Sequence, residues 1–227
     1  GEQSPIVEHA DVRRMLLLMR SLVEAMRCLV YLDADAVSRG DTELADLLTP
    51  ITKGWCTDMG VEVTSLAVQV YGGAGYIEES GVAQHYRDAR IPPIYEGTNG
   101  IQALDLVGRK LPTRNGDAAR ELLARMADGA GPLLADAVAA VSEATEWLLG
   151  RGLEGMDDVM AGATPYLRMW GVTLGGWLLA RSAAAAGPGH DKAAVSAFYY
   201  AHVLPGARAC LPAVTAGAGV LRAVAAP

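Results

Sequence analysis

Apolar residues recur at helical spacing along almost the whole chain. Val12, Met15, Leu16, Met19, Leu22, Val23, Met26, Leu29 and Val30 fall at i, i+3, i+4 and i+7, which predicts one amphipathic helix starting near Ala10 or Asp11. Arg13, Arg20, Glu24 and Arg27 take its other faces, and Gly40 stands where a left-handed residue would end it. The methionine-bearing stripe reads as a packed core seam rather than a ligand groove. Ahead of it, Gly1 to Glu8 reads as an extended lead-in, because Pro5 disfavours helix before it. A second helical region runs from about Asp41 to Tyr71, with Pro50 as the expected kink or restart. A short helix over Val82 to Arg90 follows, then Ile91 to Tyr95 held extended by Pro92 and Pro93, then a helix from about Gly97 to Leu111.

Pro112 to Gly116 (PTRNG) gathers proline, asparagine and glycine between periodic segments, which predicts a domain boundary. It divides the chain into residues 1–112 and 117–227. Beyond it, helices are predicted over Asp117 to Ala127, Pro132 to Leu149, Glu154 to Met160, Thr164 to Ala186, Lys192 to Leu204 and Ala207 to Arg222. Thr164-Pro165 reads as an N-cap with proline in the first turn, and Gly187-Pro188-Gly189 as an interhelical turn. Gly171, Gly175 and Gly176, with Trp170 and Trp177, predict close helix contact. The fold class that follows is all-α, one helical bundle followed by a second bundle or extension.

Composition narrows the functions. Half of the chain, 51%, is hydrophobic, dominated by small aliphatic residues with a single Phe, which suits close-packed helices. A net charge of −7 argues against nucleic acid as a partner. Cys28, Cys56 and Cys210 are widely spaced and include no C-x-x-C, so a reducing cytoplasm is the expected compartment. His9, His85, His190 and His202 are scattered, and no metal site is expected. No apolar run reaches the roughly 20 residues of a membrane-spanning helix.

The chemistry concentrates between Gln69 and Gln102, QVYGGAGYIEESGVAQHYRDARIPPIYEGTNGIQ. Gly72, Gly73 and Gly75 mark a place where the backbone turns or closely approaches another group. The proline-held segment delivers one carboxylate, Glu96, to the mouth of a helix starting near Gly97. Without further information the amide of Gln69 reads as a plain solvent-exposed group.

Three motifs occur here in order, Q-x-x-G-G-x-G-Y, Y-R-D-A-R-I and I-Y-E-G-T-N, and continue into Ile101 to Leu111. Together they resemble the acyl-CoA dehydrogenase family, strongly over the first half of the chain. The second half is similar to the extra helical extension of one family branch. The resemblance implies a flavin enzyme that oxidises an acyl-CoA thioester to its trans-2-enoyl form, with Glu96 as the base that removes the proton beside the carbonyl. It implies substrate contact at Tyr95, Glu96 and Gly97, and contact with FAD at Thr98, Asn99 and Gln102. It also implies that Gln69, Gly72 and Gly73 reach the FAD of a neighbouring subunit, which makes a homodimer or larger homo-oligomer part of the functional unit. An electron-transfer flavoprotein is the implied electron acceptor.

The Arg87-Asp88 pair is expected to serve structure, as an ion pair fixing the loop. Gly100 stands where better-known relatives often have glutamine. The family's N-terminal helical and middle β-domains have no counterpart here, so the chain looks like the carboxyl-terminal portion of a longer enzyme, inactive by itself. The alternative is a non-catalytic helical dimerisation or interaction module that retains the motif.

Overall fold

In the computed structural model, residues 4–152 and 154–223 are described. The first and last residues of the predicted lead-in and tail, 1–3 and 224–227, lie outside that set. The stripe predicted near the N-terminus forms α1, Ala10–Arg39, closed by Gly40 at φ +73°. Its buried seam, Met15, Leu22, Ala25, Leu29 and Ala36, is narrower than the apolar stripe, and Leu16 and Val30 stay exposed. Before it, Ile6–Glu8 make a single 3₁₀ turn rather than an extended strand.

α2, Thr42–Tyr71, is capped by Asp41, whose side chain accepts from the Leu44 N–H at 3.2 Å, and it runs through Pro50 without a restart. Burial of Leu47, Leu48 and Ile51 around the proline holds the helix together where propensity alone would break it. Short α3 (Gly73–Tyr76) and α4 (Val82–Ala89) follow. α5, Asn99–Asp105, winds on as a π-helical turn over Leu106–Lys110, where the Leu111 N–H reaches back to Leu106 O at 2.8 Å.

The predicted boundary is a tight turn of left-handed residues, Arg114 (φ +49°), Asn115 (φ +56°) and Gly116 (φ +87°). Beyond it lie α6 (Asp117–Ala127), α7 (Pro132–Arg151), α8 (Met156–Ala161), α9 (Ala163–Ala186), α10 (Lys192–His202), α11 (Gly206–Thr215) and α12 (Gly219–Arg222). Two expectations need correction. The N-cap of α9 is Gly162, so Thr164-Pro165 lies inside the first turn. The predicted Ala207 to Arg222 helix is broken at Gly217 (φ +72°), where Asp158 Oδ1 accepts the Ala218 N–H at 2.8 Å. No strand occurs among the described residues, so the architecture is all-α.

The centre of the molecule is α9, which packs on α1, α2 and α5 from the first half and on α7, α10 and α11 from the second. Its predicted glycines make those contacts possible. A Cβ on Gly171 would lie 2.1 Å from Trp55 Cγ, and one on Gly175 would lie 2.4 Å from the Tyr199 hydroxyl. Helix axes approach this closely only where one side chain is missing. A single core therefore runs from Leu22, Leu48 and Trp55 through Tyr166 and Trp170 to Tyr199. Outside it, Arg20 grips Asp191 with two bonds, at 2.6 and 2.7 Å, and Lys192 reaches Glu24 at 2.8 Å. Burial alone would raise the Glu24 carboxyl, but the Lys192 and Arg20 bonds outweigh it and hold the pKa below its ordinary value. Among the described residues, no helix is long and apolar enough to cross a membrane.

Candidate active site

The segment carrying Glu96 is a closed loop rather than an extended arm. Ile91 O accepts the N–H groups of Ile94 (2.9 Å) and Tyr95 (3.3 Å), so the chain turns around Pro92 and Pro93. Proline's fixed φ suits a turn as well as an extended run, and here the turn wins because buried Pro93 anchors it. Pro93 O then accepts the Asn99 N–H at 3.0 Å and closes the loop. At its crest Glu96 (φ +54°) and Gly97 (φ +82°) are both left-handed. For glutamate that conformation costs about 1 kcal/mol or more, so contacts around it must hold it in place.

Those contacts come from α2, which sequence reasoning left as plain helix. Lys53 Nζ donates to Gly97 O at 2.7 Å and to Asn99 Oδ1 at 2.8 Å. Asn99 Nδ2 faces Gly54 O (3.0 Å), Thr57 Oγ1 (2.8 Å) and Asp58 Oδ1 (2.7 Å). The Asn99 amide is thus engaged on both sides and works as an anchor of the loop. Burial pushes the Lys53 pKa below its ordinary value, while the charges of Asp58 and Glu96 push it up. Residue spacing does not mark this clamp: Lys53 and Thr57 share a face of α2 at i and i+4, but nothing in the sequence ties that face to the Glu96 loop.

The remaining candidates fall into two groups. Thr98 caps α5, its hydroxyl accepting the Ile101 N–H at 3.2 Å, which leaves its own hydrogen free to donate outward. Gln102 Nε2 leans on Glu96 O at 3.4 Å. Tyr95, Ile94 and Ile101 are each about half exposed beside the exposed Glu96 carboxylate, and together they form an open apolar rim. Gln69, Gly72 and Gly73 lie elsewhere. Gln69 lies in the last turn of α2, its carbonyl accepting the N–H of the capping Gly72 (φ +61°) at 3.1 Å, and Gly73 opens α3. From Asp58, where Asn99 docks, to Gln69 the helix rises about 16 Å. One copy of the chain therefore does not bring the two groups together.

Two clefts, one of 460 Å³ between α2 and α9 and one of 540 Å³ between the end of α2 and α4, share Tyr86 in their walls; Glu96 lines neither. The Arg87-Asp88 expectation is corrected. Arg87 Nη2 pairs with Glu78 Oε2 at 2.7 Å, because neighbouring residues on a helix do not face each other.

Residues 1–111 match the model described as acyl-CoA dehydrogenase, C-terminal domain, and residues 115–225 match acetyl-CoA dehydrogenase C-terminal like. The 3-methylmercaptopropionyl-CoA dehydrogenase of Ruegeria pomeroyi is 43% identical over 205 residues, covering 80% of this chain and 35% of that protein. The broad-specificity linear acyl-CoA dehydrogenase FadE5 of Mycobacterium tuberculosis is 30% identical over 88% of this chain and 40% of its own length. The chain thus spans little more than a third of these relatives. Among solved structures, an acyl-CoA dehydrogenase complexed with FAD from Bacillus anthracis superposes with a TM-score of 0.75 over 98% of this chain and 45% of that one, at 18% identity. Two family models laid end to end along the chain, and relatives that carry the dehydrogenase name, lead to one conclusion: the chain belongs to the acyl-CoA dehydrogenase family, of which it is a C-terminal part.

Proposed function

We propose that this chain supplies the base, and part of the cofactor and subunit contacts, of a flavin-dependent enzyme that oxidises an acyl-CoA thioester to the trans-2-enoyl-CoA. The observation that carries the reading is Glu96 itself, a carboxylate held left-handed at the crest of a clamped loop in a chain of this family. Glu96 removes the proton from the carbon beside the thioester carbonyl. Its own N–H, which has no protein acceptor among the described residues, donates to the thioester oxygen where negative charge develops. When bound, FAD supplies the hydride acceptor for the neighbouring carbon. Tyr95 and Gly97 flank the thioester. The outward Thr98 hydroxyl and Gln102 contact the cofactor, while Asn99 holds the loop.

Gln69, Gly72 and Gly73 serve the FAD of a second copy, in keeping with their distance from Glu96, and make a homodimer or larger assembly the working unit. An electron-transfer flavoprotein is the proposed electron acceptor, and the reducing cytoplasm the compartment. Residues 1–112 and 117–227 form the two parts of this C-terminal portion. Glu96 is open to solvent in this chain, so the desolvation that strengthens a carboxylate base must come from outside it. The isolated 227 residues are accordingly expected to be colourless and inactive; a yellow, turning-over preparation would refute this.

The decisive experiment is Glu96→Gln in the full-length protein. Flavin content should be retained, while turnover of acyl-CoA falls by roughly 10²-fold or more. Unchanged turnover would instead favour a non-catalytic helical module that keeps the motif.

A further inference from the structure

We infer that Lys53 is a positioning residue for Glu96, its ammonium fixing the strained loop that presents the carboxylate, an inference that rests on the reading of Glu96 as the base. The sequence gives Lys53 no motif. The geometry gives it two neutral oxygens of the loop, Gly97 O and Asn99 Oδ1, at 2.7 and 2.8 Å. These flank the point where two consecutive residues, Glu96 and Gly97, are left-handed. Such a conformation persists only when its surroundings over-determine it. Gly97 O is a carbonyl turned out of any helix or strand, and no other donor takes it among the described residues. Asn99 Oδ1 fixes which way the anchoring amide faces, and so sends Nδ2 to Gly54 O and Asp58.

Lys53 takes part in no ion pair within 4 Å among the described residues; its two partners are neutral oxygens, with the charges of Asp58 and Glu96 acting on it from further off. The ammonium thus holds the loop by charge-assisted bonds to neutral oxygens. Lys53 bonds Gly97 O and Asn99 Oδ1 and not the Glu96 carboxylate. It acts through the loop.

The test uses the full-length flavoprotein with Lys53→Met, which keeps length and apolar stem but has no donor, and Lys53→Arg, which keeps charge and donors. Lys53→Met should speed amide hydrogen exchange in residues 94–99 by about tenfold or more, as loss of a charge-assisted bond implies, with α1 and α9 unchanged. It should lower kcat by a similar factor while leaving KM for acyl-CoA within about threefold, because the loss lies in the reacting geometry. Lys53→Arg should restore part of both. Unaltered exchange at 94–99, acceleration spread evenly over the molecule, or an Arg variant as impaired as the Met variant would each overturn the inference. The exchange measurement separates it from the base assignment. If Glu96→Gln retained turnover, the base reading would fall, and exchange at 94–99 in Lys53→Met would still decide whether Lys53 holds the loop.

Discussion

Gly171 shows how much rests on one absent methyl group. Its Cα faces the Trp55 indole so closely that a Cβ would sit 2.1, 2.5 and 2.6 Å from Trp55 Cγ, Cδ1 and Cβ. The tryptophan is 1% exposed and cannot swing away. Gly171→Ala should therefore destabilise the protein by about 1–3 kcal/mol or more through overpacking, read as a lower urea midpoint. Combining it with Trp55→Ala should cost clearly less than the sum of the two single changes, since alanine lacks the Cγ and Cδ1 that crowd the methyl most closely. Strict additivity would mean that the two residues do not meet as described. This contact was half legible in the sequence. Glycines beside tryptophans in an apolar helix announced close packing, but their partner lies more than a hundred residues away, a distance that periodicity cannot bridge. Lys53 is the opposite case. Its role depends on where one loop carbonyl points, and nothing in residue spacing sets that.

At the level of elements, helices were legible wherever the apolar pattern was long: burial of one amphipathic face outweighs local preferences in α1 and α7, while α9 is apolar all round and buried on every side from Met169 to Leu179. What failed was short and proline-rich. Pro92-Pro93 fits both an extended run and a turn, and only the anchoring of Pro93 and Asn99 decides between them. The composition of Pro112 to Gly116 marks a break between α5 and α6, but the left-handed run there and its pairing could not be read. Arg114 bonds Glu43 of α2 and Glu121 of α6, while Arg120 donates to Asn115 O at 2.7 Å, so the turn is fastened on both sides. Gly116→Ala should cost about 1–2 kcal/mol from the left-handed backbone alone, at φ +87°. Crowding of Leu149, 2.5 Å from the new Cβ, would add to this only as far as that flexible side chain fails to rotate away. A drop in melting temperature with unchanged helix content would bear this out, and an unchanged midpoint would show that the turn can relax.

Across the whole molecule, the core joins the two halves, and the titratable groups buried in it should make them unfold together at high pH. Burial pushes the Tyr166 hydroxyl and the Cys56 thiol each up to about 12, and the fully buried Tyr199 well above its ordinary value. In the unfolded chain these groups lose their protons near pH 10 for tyrosine and near 9 for cysteine, whereas the folded protein keeps them. Between those limits the folded state binds more protons than the unfolded one. Its stability is therefore full below about pH 9 and falls as pH rises towards 12, by about 1.4 kcal/mol per pH unit for each such group. Cys56 belongs to the first half, and Tyr166 and Tyr199 belong to the second. Cys56 on α2 acts on Tyr199 on α10, and Tyr166 bonds Thr145 between α9 and α7, all within the core that α9 shares with both halves, so a titration that loosens one half removes packing from the other. Tyr166→Phe should lessen the alkaline slope by one group's share, and should cost about 1 kcal/mol at neutral pH from the lost 2.7 Å bond to Thr145. Urea melts at pH 8 to 11, followed by tryptophan fluorescence and far-ultraviolet circular dichroism, should give one coincident transition at each pH. Trp55 reports the first half, and Trp147, Trp170 and Trp177 report the second. Two separated transitions would show that residues 1–112 and 117–227 hold their folds independently, despite the shared core.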